Sequence, residues 1–118
     1  MDLELTGLHV LITGGSKGIG LACAEGFLRE GAKVSLVSRE TANLDKAKQS
    51  LTSQIAGTAH RIHTAVADLR QAPQAQSALD SAIQAFGPVD VLVDSAGAAQ
   101  RKPPDELNAD AWHAAMDA

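Results

Sequence analysis

The stretch Thr13-Gly14-Gly15-Ser16-Lys17-Gly18-Ile19-Gly20 constrains this chain more than any other. A short apolar run, Val10-Leu11-Ile12, leads into it. A helical pattern leaves it, with Ile19, Ala22, Cys23, Gly26 and Phe27 recurring at i, i+3, i+4, i+7 and i+8. A strand, a glycine-rich turn and a helix in that order make an anion site. The first-turn N–H groups of the helix have no partner inside it, and the positive end of the helix dipole lies behind them. Glycine lets a phosphate approach that backbone closely and tolerates positive φ. A tight strand-to-helix connection with no ligand is the competing reading.

The rest of the chain repeats the same alternation. The first strand is expected over 9–13, and its helix is expected to end at Gly31 after Arg29-Glu30. Lys33 to Ser38 reads as a second strand. Thr41 is placed to cap a second helix that carries Leu44, Ala47, Leu51 and Ile55 on one face and closes at Gly57. A third strand is expected over 61–67. Pro73 suits the first turn of a third helix, in which Ala75, Ala78, Leu79, Ala82, Ile83 and Phe86 share a stripe. Gly87-Pro88 stops it. Val89 to Val93 is an almost continuous apolar strand, as a sheet covered on both faces requires. Alternating strands and helices imply parallel strands joined by right-handed crossovers, the doubly wound α/β class. A polar loop with Pro103-Pro104 follows Gly97, and Asn108 is placed to cap a last helix bearing Ala111, Trp112, Ala115 and Met116. The chain stops inside that pattern. The expectation is therefore one Rossmann-like domain over 1–118, incomplete at its carboxyl end.

Composition removes other classes. The net charge of −4 and the absence of a basic stripe argue against nucleic acid, and no apolar run is long enough to span a bilayer. The first residues, with Asp2 and Glu4, do not resemble a signal peptide, so the cytoplasm is the expected compartment. The lone Cys23 can form no internal disulfide and reads as core. No Cys/His cluster has metal-ligand spacing. His9, His60, His63 and His113 share no spacing with a base or nucleophile, and read as structural or exposed; Trp112 reads as packing.

The turn is written T-G-x-x-x-G-x-G, not the common dinucleotide fingerprint G-x-G-x-x-G. That variant resembles the short-chain dehydrogenase/reductase family, whose pattern covers essentially the whole chain but only in its first half. The resemblance implies a nicotinamide dinucleotide held at the turn by Gly14, Ser16, Lys17, Gly18, Ile19 and Gly20. In doubly wound sheets the end of the second strand reads the adenosine ribose: a carboxylate there suits NAD, an arginine the 2′-phosphate of NADP. Here that strand ends in Ser38-Arg39, and Lys17 adds a second cation, so NADP(H) is expected over NAD(H). Glu40 adjoins Arg39 and competes for it. A solvated surface charge is the alternative for Arg39, and an ordinary loop residue for Lys17.

Two further landmarks come with the resemblance. Asp68-Leu69 follows the third strand, where the family's Asp accepts from the adenine amino group and the next residue's backbone faces the base. A capping or turn Asp is the alternative. Asp94-Ser95-Ala96-Gly97 stands where the family usually has Asn-Asn-Ala-Gly; Ser95, Ala96 and Gly97 are the expected cofactor contacts. Asp94 cannot donate as an amide does when ionised.

In the family a Tyr is the general acid/base, a Lys four positions on lowers its pKa, a Ser polarises the carbonyl and an Asn on the fourth helix often completes a relay. This chain contains no tyrosine, so no catalytic residue is assigned. Two readings stay open: the cofactor-binding portion of an NADP(H)-dependent oxidoreductase acting on a carbonyl or alcohol, and a non-catalytic NADP-binding or interaction module. Homo-oligomerisation is also expected, because the fourth strand would end the sheet as an open apolar edge.

Overall fold

The computed structural model describes residues 5–14, 18–95 and 99–101. The elements run β1 (His9–Thr13), α1 (Gly18–Arg29), β2 (Lys33–Ser38), α2 (Thr41–Gln54), a 3-10 turn (Ala59–Arg61), β3 (Ile62–Val66), α3 (Ala72–Phe86), β4 (Val91–Asp94) and β5 (Ala99–Arg101). The sheet order is β3-β2-β1-β4-β5. The first four strands are parallel, with Val10 opposite both Val34 and Val91, and β5 is antiparallel to β4. This is a doubly wound α/β fold of Rossmann type.

Two apolar layers hold it. Alternate strand residues point to opposite faces. On one face Val10, Ile12, Val34, Leu36 and Ile62 pack with Ala24, Leu28, Leu44, Ala47 and Leu51 of α1 and α2. On the other, Leu11, Val37 and Leu92 pack with Ala75, Ala78, Leu79 and Ala82 of α3. The central strands are thus buried on both sides, which is why β1 and β2 read as near-continuous apolar runs.

The structure corrects four expectations. First, α1 is rotated from its expected face: Gly20, Ala24 and Leu28 are buried, whereas Ala22 and Gly26 are exposed and Ile19 is 72% exposed. Cys23 and Phe27 are half-buried beside the core, so the lone thiol sits at its margin. Second, Thr41 is the first helical residue of α2; Glu40 holds the cap position and makes no side-chain capping bond. Third, β4 begins at Val91, with Val89 buried ahead of it, and Ile83 of α3 leaves the buried stripe at 38% exposure. Fourth, β4 is not an open edge. Ala99–Arg101 pairs with it, Val91 opposite Arg101 and Val93 opposite Ala99. The sheet edge that would have driven association is therefore occupied. The expected last helix, with Asn108, Ala111, Trp112, Ala115 and Met116, lies outside the described residues.

Two glycines hold the turns. Gly31 has φ +90°, and a Cβ there would lie 2.9 Å from Thr6 Oγ1, so the end of α1 closes against the segment entering β1. Gly87 has φ +85°, and its N–H donates to the Ile83 carbonyl at 2.7 Å, ending α3 as expected.

Candidate functional site: a cleft at the carboxyl ends of the strands

In a doubly wound sheet the loops leaving β1 and its neighbour on the far side run to opposite faces, and a crevice opens between them. Here β1 feeds α1 on one face, while β4 sits on its other side. A cleft of about 350 Å³ lies at these carboxyl ends, lined by Thr13, Gly14, Val37, Ser38, Arg39, Ala67, Asp68, Leu69, Arg70, Asp94 and Ser95.

Backbone bonds set its walls. The Gly14 N–H donates to the Val37 carbonyl at 2.9 Å, the Ser95 N–H to Thr13 at 3.2 Å and the Ala67 N–H to Ser38 at 2.9 Å. Each strand end is thereby tied to its neighbour. Gly14 is exposed, with φ +69°, and a Cβ there would fall on Ser95 Oγ. Backbone alone fits at that point, as a cradle for a close ligand requires. Gly18 opens α1 at φ +54°, and a Cβ there would meet nothing within 4 Å among the described residues. Thr13 Oγ1 lies 3.5 Å from the Asp94 carboxylate, and both residues are buried. A threonine hydroxyl therefore faces Asp94 from β1.

The charged rim is built by β2 and β3. Arg39 is exposed just beyond β2 and makes no ion pair among the described residues. Its neighbour Glu40 instead accepts from Asn43 Nδ2 at 2.8 Å. The competition expected between Glu40 and Arg39 is thus not realised. Asp68 takes a different partner: Arg70 meets it through Nε to Oδ1 and Nη2 to Oδ2, both 3.1 Å, and through its own N–H to Oδ1 at 3.0 Å. The Arg70 hydrogen bonds hold the Asp68 carboxyl below its ordinary range, and the Arg39 charge adds to this. The Asp68 N–H donates to Gln74 Oε1 at 2.8 Å, fixing the loop to the start of α3.

Of the residues singled out from the sequence, the structure brings Gly14, Ser38, Arg39, Asp68, Leu69 and Ser95 to this one cleft. Gly18, Ile19 and Gly20 open α1 beside it: Gly18 and Ile19 are exposed, Gly20 buried. Ser16, Lys17, Ala96 and Gly97 lie outside the described residues. Arg70, Val37 and Ala67 also line the cleft, and sequence reasoning passed over them. For Arg70 the available signal was an Arg two residues after an Asp at a strand end.

The histidines stand elsewhere. His9, at the opening of β1, is 1% exposed. Its Nδ1–H donates to the Gly87 carbonyl at 2.9 Å, because a carbonyl can only accept; Nε2 therefore accepts from Ser35 Oγ at 2.6 Å. Burial lowers the His9 pKa, only partly offset by the Gly87 bond. His63 meets Ser81 Oγ at 2.9 Å and is likewise lowered by burial, and His60 is exposed. The buried His9 ring and the half-buried His63 ring both pack edge-on against Phe86, at 5.4 and 6.2 Å. Among the described residues no group of three or more His, Cys, Asp or Glu could hold a metal, and no helix is long and apolar enough to cross a membrane.

Comparison with known proteins agrees with this geometry. Residues 8–118 match the family described as short chain dehydrogenase. The chain is 30% identical over 115 residues to D-threitol dehydrogenase of Mycolicibacterium smegmatis, covering 98% of this chain and 43% of that protein. It is 46% identical over 89 residues to 3-dehydrosphinganine reductase TSC10B of Arabidopsis thaliana, covering 75% of this chain and 25% of that one. Among solved structures, L-sorbose reductase from Gluconobacter frateurii, complexed with NADPH and L-sorbose, superposes with a TM-score of 0.73 at 34% identity, over 96% of this chain and 42% of that one. The chain thus spans less than half the length of the relatives it matches.

Proposed function

The chain belongs to the short-chain dehydrogenase family, and on that premise we propose that it is the nucleotide-holding portion of an oxidoreductase that moves hydride between NADP(H) and a carbonyl or alcohol substrate. The observation that carries the choice of NADP(H) is Arg39: an exposed guanidinium at the end of β2, without an ion pair among the described residues, on the rim of the strand-end cleft. A carboxylate at that place would suit a ribose hydroxyl; a guanidinium suits a 2′-phosphate, which it can meet with two parallel hydrogen bonds. In this reading residues 1–118 form a single NADP(H)-binding domain. Gly14, Ser16, Lys17, Gly18, Ile19 and Gly20 hold the pyrophosphate and adjoining phosphate, and Ser38 and Arg39 the 2′-phosphate. Asp68 and Leu69 bind the adenine, and Ser95, Ala96 and Gly97 line the path to the nicotinamide. The cofactor supplies the hydride chemistry; the chain supplies position and charge. The cytoplasm is the compartment that goes with this reading.

Calorimetric titration of the chain with 2′,5′-ADP and 5′-AMP tests it, because the two nucleotides differ only in the 2′-phosphate. The unmodified chain should bind 2′,5′-ADP more tightly, and Arg39→Ala should erase most of the difference. A charge-assisted contact contributes about 1.5–3 kcal/mol, roughly tenfold to a hundredfold in affinity. Equal affinity for both nucleotides in the unmodified chain would remove the NADP reading.

Association of copies belongs to the same proposal, through the apolar side of the expected last helix, with Ala111, Trp112, Ala115 and Met116, rather than the paired edge of β4. Light scattering should give a mass that rises above one chain with concentration; a constant single-chain mass rejects it.

A further inference from the structure

Arg70 stands on the same rim as Arg39, and the nucleotide reading above gives it no task. Its fork closes on Asp68, and three of the hydrogen bonds that Asp68 accepts come from this one residue. The pair is open to water: the Arg70 side chain is 74% exposed. Exposed ion pairs are weakly stabilising and exchange readily for a stronger partner. A phosphate monoester, with a charge of about −1.5 to −2 near neutral pH, is such a partner for a guanidinium.

We infer that Arg70 is a second, exchangeable reader of the 2′-phosphate, which Asp68 holds in place until the nucleotide arrives. The inference rests on the NADP(H) reading and adds a residue to it. When the nucleotide enters, the guanidinium passes from the Asp68 carboxylate to the phosphate. The carboxylate does not lose its position, because the Arg70 backbone N–H still donates to Oδ1 and Gln74 still holds the Asp68 N–H. Its Oδ2, which takes only the guanidinium bond among those described, becomes available to the amino group of the adenine. One exchange therefore couples two recognitions: the phosphate takes the arginine, and the base takes the aspartate. A nucleotide without the 2′-phosphate offers the arginine nothing, so its base competes with Arg70 for Asp68. That competition lowers affinity for the NAD-type nucleotide and raises discrimination beyond what Arg39 supplies alone.

The test compares the unmodified chain, Arg70→Ala, Arg70→Lys and Arg39→Ala with the same two nucleotides by calorimetry. Arg70→Ala should weaken 2′,5′-ADP by about tenfold and tighten 5′-AMP, which no longer competes with Arg70 for Asp68. Arg70→Lys keeps the charge without the fork and should fall between. The opposite movement of the two nucleotides is a signature that simple damage to the cleft would not give, and circular dichroism checks that each variant is folded. If Arg39→Ala loses discrimination while Arg70→Ala binds both nucleotides as the unmodified chain does, the NADP(H) reading stands and this inference falls. Equal weakening of both nucleotides by Arg70→Ala also overturns it, making Arg70 a contact to the shared adenosine. If the unmodified chain does not discriminate, or binds neither nucleotide, the NADP(H) reading itself falls and takes this inference with it.

Discussion

Supplied with NADPH and a panel of ketones and aldehydes, this chain should consume no more cofactor than the protein-free control. Reduction of a carbonyl needs a proton at the oxygen as hydride reaches the carbon. A positioned acid contributes about 10²–10⁴-fold to such a step. The family's acid is a tyrosine, and none of the 118 residues is one. The described histidines do not replace it. His9 is buried at the opening of β1, whereas the cleft lies at the strands' other end, and its two ring nitrogens are taken by Gly87 and Ser35. His63 is engaged with Ser81, and neither ring lines the cleft. The chain should still bind 2′,5′-ADP, which separates a missing acid from an unfolded protein. NADPH absorbance is the readout. Turnover that scales with chain concentration would show that another group on this chain acts as the acid.

What the sequence made legible was whatever a local pattern could encode. The turn at Thr13-Gly14 lies between an apolar run and a helix, and a glycine with positive φ does stand there, beside Ser95. The ends of β2 and β3 were readable because Ser38-Arg39 closes a buried strand and Asp68-Leu69 follows a half-buried one, and parallel strands bring such ends together. What was not legible depended on partners distant in sequence, or on atoms that hydropathy does not weigh. The buried face of α1 runs through Gly20, Ala24 and Leu28, and hydropathy gives a glycine no weight as a core position. The three residues of β5, Ala99-Gln100-Arg101, are too few and too polar to show a strand period, yet they pair with Val91 to Val93. The Glu40 contact to Asn43 and the Arg70 contact to Asp68 decide which arginine is free, and each is a choice among neighbours made by loop geometry. The role of His9 was equally hidden, since its partners lie 26 and 78 residues away.

That buried histidine should carry a large share of stability. His9→Leu keeps the approximate volume and removes both ring hydrogen bonds, leaving the Gly87 carbonyl and the Ser35 hydroxyl without this partner. An unsatisfied buried polar group costs about 1–3 kcal/mol, so with the added apolar surface in partial offset the net loss should be about 2–4 kcal/mol. Ser35 is fully buried in the central strand β2, which leaves it no water to turn to. Replacing it as well, in His9→Leu/Ser35→Ala, should recover part of the loss, because removing both partners costs less than stranding one. The pH dependence gives an independent check. Burial is the largest influence on His9 and, with Lys33 and His63, disfavours its charge; the Gly87 bond and Asp90 favour it but do not offset burial, so its pKa is lowered from 6.5. A histidine held neutral in the fold contributes fully above 6.5, and that contribution falls as pH drops from 6.5 through the lowered folded value, where the unfolded chain binds the proton first. The unmodified chain should therefore lose stability on mild acidification, and His9→Leu should lose less over the same interval, retaining the slope from His63, whose pKa burial and then Lys48 also lower. Urea unfolding at a series of pH values measures both effects. A variant as stable as the parent at neutral pH, with the same acid slope, would mean that the His9 bonds to Gly87 and Ser35 contribute nothing to holding β1, β2 and the end of α3 together.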